Sequence, residues 1–151
     1  MRFLFRKKNP FLSPDDIQQI TECIREQEKR SSGEIRLFIE EHCSWIEAGD
    51  RARVLFQQLK MTETSQHNAL LIYIASADKQ FAILGDTAIF QLAPADFWNQ
   101  QSQALAGTFR EGRFKYGICQ CIEQCGNLLA TYFPPRENQK NELPDEIIFG
   151  K

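Results

Sequence analysis

No run of about 18 apolar residues occurs in this 151-residue chain, so nothing in it reads as a membrane-spanning helix. Neither sign of charge dominates: 18 Lys and Arg stand against 20 Asp and Glu, for a net charge of −2. A strongly basic nucleic-acid binder is excluded on that balance. Glycine and proline are scarce, at 8 and 6 residues, which excludes collagen-like and low-complexity classes. Only two histidines are present, His42 and His67, and neither belongs to a zinc-type pair of ligand pairs. The phosphate-cradling patterns G-x-x-x-x-G-K-[ST] and G-x-G-x-x-G are missing, as is the nucleophile elbow G-x-S-x-G. Nucleotide binding therefore has no support, and neither does Ser or Cys hydrolysis.

What remains is an ordinary globular composition, 42% hydrophobic and 25% charged, at the usual length of one domain. No secretory signal is expected from the first residues, because Phe3–Phe5 is far shorter than the required apolar run of roughly 7–15 residues. Five cysteines, an odd number, then point to a reducing compartment and to buried, unpaired thiols. Cytoplasmic placement is the expectation. Residues 1–12 form a basic-aromatic arm. Its Arg2, Arg6, Lys7 and Lys8 leave the rest of the chain at −6, and such an arm suits peripheral contact with an anionic membrane surface.

Residues 13–133 carry the elements of a folded domain. Ser13-Pro14-Asp15-Asp16 is a helix start, and Ile17, Ile20 and Ile24 continue it to about Lys29. Ile35, Leu37 and Ile39 alternate with Arg36, Phe38 and Glu40, the pattern of a half-buried strand. Ala48, Ala52, Leu55, Phe56 and Leu59 form the stripe of a second helix. Ala69–Ala75 is uninterruptedly apolar and predicts a central strand covered on both faces. Residues 76–79 turn the chain into a hairpin partner that ends at Gly85-Asp86. Pro94-Ala95-Asp96 opens a helix with Phe97, Trp98, Leu105 and Phe109, and Gly112 separates it from a last helix reaching Tyr132. Residues 134–151 read as an extended, proline-interrupted tail in which Ile147, Ile148 and Phe149 dock as an edge strand or clip. The order α-β-α-β-β-α-α predicts a single-domain α/β protein, an αβα sandwich with a small mixed sheet between helices.

Oxygen-bearing side chains gather at strand ends and loops. Glu34 follows Gly33 at the entry to the first strand, and Asp86 follows Gly85 at the exit of the third. Asp50 lies near the start of the second helix, and Asn68 precedes the central strand. Six to eight oxygens are what Ca²⁺ takes, so Glu34, Asp50, Asn68 and Asp86 are the candidate metal ligands. Separate roles in capping and turns are the alternative.

Several motifs, in order, resemble a known family. Ser32-Gly33-Glu34-Ile35-Arg36 is similar to the TSGEIR segment of TPM domains, named for a thylakoid-lumen protein, a photosystem repair protein and a receptor modulator. Asn68 with Leu70-Leu71-Ile72-Tyr73, Phe81-Ala82-Ile83-x-Gly85-Asp86, Phe97-Trp98, and Phe109-x-x-Gly112-x-Phe114-x-x-Gly117-Ile118 follow in sequence. So do Phe133-Pro134 and Asn141-Glu142-Leu143-Pro144-Asp145-Glu146. The pattern departs at Ser31, His67 and Ala69, where Thr, Arg and Gly are usual. The resemblance implies an αβα sandwich of the short, stand-alone cytoplasmic bacterial type. It also implies two functional expectations. One is a non-catalytic accessory domain that assists a membrane protein or envelope complex, and the other is a divalent-metal-dependent acid phosphatase using bound Ca²⁺.

Overall fold

The computed structural model describes residues 11–43, 46–137 and 147–150. Most of the basic-aromatic arm and the polar stretch 138–146 lie outside the described residues.

Helix α1 spans Pro14–Glu28 and begins on a reciprocal capping box. Ser13 Oγ accepts from the Asp16 N–H at 3.0 Å, and Asp16 Oδ2 accepts from the Ser13 N–H at 3.1 Å. Both bonds satisfy donors that a helix start otherwise leaves unpaired. Strand β1 (Glu34–Glu40), helix α2 (Ala48–Gln58) and a single 3₁₀ turn at Met61–Glu63 follow. Strands β2 (Ala69–Ala75) and β3 (Gln80–Gly85) form the expected hairpin. Helices α3 (Thr87–Leu92), α4 (Phe97–Arg110) and α5 (Phe114–Tyr132) and strand β4 (Ile147–Phe149) complete the order.

The sheet runs β3-β2-β1-β4. Strand β1 lies parallel to β2 and to β4, whereas β2 and β3 are antiparallel. Alternation along the strands sorts their side chains into two cores. Ile35, Leu37, Ile39, Leu70, Ile72 and Ile74 face α1, α4 and α5. Phe38, Leu71 and Tyr73 face α2 through Ala52, Leu55 and Phe56. The sandwich and its mixed sheet are those expected from the sequence.

Two features differ from the sequence reading. Strand β1 is buried along its whole length, because α2 covers the face that carries Arg36 and Glu40 while β4 covers its edge. The one-and-a-half turns of α3 and the 3₁₀ turn were not expected. Each is too short for apolar periodicity to register. The tail's Ile147–Phe149 is an edge strand in parallel register with Leu37–Ile39. Where α4 gives way to α5, Gly112 adopts φ +75°. Its N–H donates to Phe109 O at 3.0 Å and the Arg113 N–H donates to Thr108 O at 2.9 Å. This is a helix-ending motif that favours glycine at its left-handed position. All five cysteines are unpaired.

Candidate functional site

The hairpin and the parallel pair bring three segments to one end of the sheet: the start of β1, the start of β2 and the exit of β3. Glu34 is in register with Ala69, and the Asp86 N–H donates to Ala69 O at 3.0 Å, one step past the Leu70–Gly85 pair. Glu34 and Asp86 therefore flank the small Ala69 along one edge of the sheet. Both are almost fully buried, as are Asn68 and Thr64.

A polar network positions Asn68. Thr64 Oγ1 accepts from the Asn68 N–H at 3.3 Å, and Thr64 O accepts from the His67 N–H at 3.3 Å. These bonds hold His67 at φ 52°, a left-handed conformation uncommon outside glycine. Ser32 Oγ donates its single proton to Gln66 Oε1 at 2.6 Å and must accept from Asn68 Nδ2 at 3.2 Å. That polarity fixes the amide, leaving Asn68 Oδ1 on the other side. Asp86 caps α3, its Oδ1 accepting from the Thr87 N–H at 2.7 Å. Its Oδ2 is 3.5 Å from His67 Nδ1 and accepts no hydrogen bond. Among the described residues, the buried side-chain atoms left without a hydrogen-bond partner are Asn68 Oδ1 and Asp86 Oδ2. Leaving such a group unpaired costs on the order of 1–3 kcal/mol, more when it is charged. Two acceptors orphaned in adjacent segments constitute the chemical signal of this end of the molecule.

Of the four ligand candidates, the fold brings Glu34, Asn68 and Asp86 to this end. Asp50 is elsewhere. The Ala48 N–H at the head of α2 donates to Gln80 Oε1 at 3.1 Å, and Gln80 pairs with Ala75 at the opposite end of β2. A strand of that length spans about 20 Å. There Asp50 is two-thirds exposed and pairs with Arg53 at 2.9 Å, one helical turn on. The helical stripe put Asp50 near the start of α2 but carried no information on which end of the sheet that start would reach. Glu34 and Arg36 are both engaged in interactions of their own. No group of three or more His, Cys, Asp or Glu side chains suited to a metal ion occurs among the described residues. Ser32, Thr64 and Gln66 were not singled out as candidate ligands from the sequence. A hydroxyl-rich loop ahead of an apolar strand was the one available signal.

The far end of the sheet holds a second polar cluster. Arg51 grips Glu40 with both arms of its guanidinium, Nε to Oε2 at 2.8 Å and Nη2 to Oε1 at 3.1 Å. Tyr73 Oη donates to the same carboxylate at 2.5 Å. Burial by itself would raise the Glu40 pKa, but the Arg51 and Tyr73 hydrogen bonds outweigh it and hold the carboxyl below its ordinary range. Burial first, and the Glu40 carboxylate second, push the Tyr73 phenol up. Nearby, Asp78 accepts from the Cys43 N–H at 2.8 Å and from the Cys43 thiol at 3.3 Å, and its Oδ1 is 2.8 Å from His42 Nδ1. Burial and the Asp78 carboxylate raise the Cys43 thiol pKa, so the thiolate a nucleophile needs is disfavoured. His42 is committed to Asp78 and not to the thiol. The arrangement is structural.

Known proteins place this framework. Residues 6–128 match the TPM domain. The chain belongs to the TPM domain family. Its fold is shared by the BA42 protein of the psychrophilic bacterium Bizionia argentinensis, whose NMR structure superposes with a TM-score of 0.85 at 40% identity. That similarity covers 95% of this chain and 99% of BA42. The N-terminal domain of cg2496 from Corynebacterium glutamicum shares the fold at 14% identity and a TM-score of 0.64, covering 83% of this chain and 78% of that one. No curated protein matches the chain. Among the described residues, no helix is long and apolar enough to cross a membrane.

Proposed function

We propose that this TPM domain is a non-catalytic accessory module that binds a divalent cation, with Ca²⁺ as the best fit, and assists a membrane protein or works at a membrane surface. The orphaned pair Asn68 Oδ1 and Asp86 Oδ2 carries the reading. The donor chemistry fits a hard cation: an amide oxygen and a carboxylate, with the Glu34 carboxylate at the same sheet end. Since Ca²⁺ takes six to eight oxygens, carbonyl groups and water would complete the shell. The ion would neutralise buried negative charge and stiffen the junction of three chain segments. The non-catalytic part is supported by the paired states of Cys43 and His42 and by the burial of Arg36, which keeps that cation from facing a substrate. The membrane part is supported by the four basic residues of the first eight.

Calcium titration of thermal unfolding tests the site. Binding to the native state alone stabilises by RT ln(1 + [L]/Kd), about 2.7 kcal/mol at a hundredfold excess over Kd, or roughly 5–11 °C for a domain of this size. Asp86→Asn is the informative variant, because Asn caps a helix as well as Asp does while the charge is lost. It is expected to melt near the wild type without Ca²⁺ and to lose most of the calcium shift. No shift for wild type at millimolar Ca²⁺ contradicts the reading.

One observation favours the phosphatase alternative: His67 is more than half exposed and its Nδ1 lies 3.5 Å from Asp86 Oδ2, which puts an imidazole, the commonest general acid or base of enzymes, within reach of solvent beside the acid. Glu34 and Asp86 would repel a phosphate dianion unless a cation offset them. Bound metal would supply that offset. The accessory reading expects no hydrolysis of an aryl phosphate in excess chelator and only slow hydrolysis with Ca²⁺ or Mg²⁺. Turnover above roughly 1 s⁻¹ that is abolished by Asp86→Asn would establish the phosphatase instead.

A further inference from the structure

At the far end of the sheet, on the face opposite α2, a cavity of about 460 Å³ opens beside the end of β2. Its size lies within the range of about 300–1,000 Å³ typical of small-molecule sites. Four half-buried phenylalanines line it, drawn from four segments: Phe11 before α1, Phe81 on β3, Phe109 on α4 and Phe114 on α5. They contact one another edge-on or tilted, with ring centroids 4.6–5.8 Å apart. The aromatic wall is thus built from the same packing that holds the domain together, and is preformed.

The mouth has one sign of charge. Lys79, in the β2–β3 turn, and Arg110, in the last turn of α4, line it and are both exposed. Among the described residues, no acidic one does. The nearest acids in sequence are turned to other partners. Asp78 receives His42 and Cys43, and Glu111 lies 3.5 Å from Arg113. The end of α4 and the start of α5 meet here, so their opposed terminal dipoles offset each other and the two side-chain cations decide the field.

We propose that this cavity binds a small amphipathic monoanion, an alkyl or aryl carboxylate, with its apolar body among the four phenylalanines and its head at Lys79 and Arg110. The basic residues of the N-terminal arm make that arm a poor electrostatic match for a cationic mouth. The site is separate from the Asn68–Asp86 end and independent of cation binding there.

The test uses the full chain and three ten-carbon probes in two-dimensional NMR titrations: decanoate, decanol and decyltrimethylammonium. Decanoate is expected to shift resonances of the cavity residues and to bind at least about tenfold more tightly than the cationic probe, as charged hydrogen bonds to the head require. The double variant Lys79→Glu/Arg110→Glu is expected to lose that preference while retaining decanol. Ala106→Phe, which places a ring into the cavity from α4, is expected to abolish binding of all three. Equal binding of the anionic and cationic probes overturns the proposal, and so does the lack of decanoate binding. Decanoate binding that appears only after deletion of residues 1–8 also overturns it, identifying the arm as the occupant.

Discussion

Replacing Arg51 with Ala is expected to lower stability by about 2–3 kcal/mol, below the 3–5 kcal/mol usual for breaking a fully buried ion pair, because a quarter of the Arg51 side chain meets solvent. For a chain of this length the melting temperature should fall roughly 4–12 °C. The loss comes from what is left behind. Glu40 is nearly inaccessible, and without the guanidinium fork the Tyr73 hydroxyl is what remains to face its charge among the described residues. The pH dependence identifies this cause. In the wild type the Glu40 pKa is lowered, so the pair's contribution is complete above the unfolded carboxylate value near 4.3. It fades as the pH falls through the lower folded value. In the variant, burial is opposed by the Tyr73 hydrogen bond without the guanidinium and raises the pKa, so protonation relieves the buried charge. The gap between variant and wild type should therefore be wide at pH 7 and narrow below about pH 4. A gap that does not change with pH would assign the loss to the packing of the Arg51 stem.

The second large effect is expected at Gly85. A Cβ there would lie 2.6 Å from Ile89 Cγ2 and 2.7 Å from Trp98 Cη2, inside van der Waals contact with a fully buried side chain and an aromatic ring. Neither can swing away cheaply, since Ile89 is in the core and the indole stacks on Phe90, with centroids 6.2 Å apart. Gly85→Ala should cost about 1–3 kcal/mol, the usual range for overpacking. It should also displace the start of α3, and with it the Asp86 carboxylate. Calcium stabilisation should therefore weaken along with basal stability, whereas Gly107→Ala, which meets nothing within 4 Å, should change neither. Full calcium response in Gly85→Ala would separate Asp86 from the cation.

These two sites show what local pattern carries and what it leaves out. The capped start of α1, the apolar run of β2 and the hairpin at residues 76–79 are legible because each is set by neighbours within a few residues. The abrupt end at Gly85-Asp86 is legible for the same reason, although the cause of the glycine, the approach of Trp98 from α4, is not. Glu34, Asn68 and Asp86 reach one sheet end because they border strands whose pairing follows from the element order. Asp50 borders a helix, and the alternation of apolar positions says which face of α2 is buried but not how its axis runs across the sheet. The Glu40–Arg51–Tyr73 cluster was missed because its members are polar exceptions inside apolar patterns, 11 and 33 residues from Glu40 in sequence. Only the meeting of α2 with the ends of β1 and β2 makes them a unit.

The most direct test of the cation-binding claim is a crystal structure of the protein grown in CaCl₂, with anomalous difference density collected at long wavelength. A peak is expected about 2.3–2.6 Å from both Asn68 Oδ1 and Asp86 Oδ2, the distance range of Ca²⁺–oxygen bonds. Density there that is water by its anomalous signal, or a calcium peak confined to Asp50 or other surface carboxylates, would contradict the account.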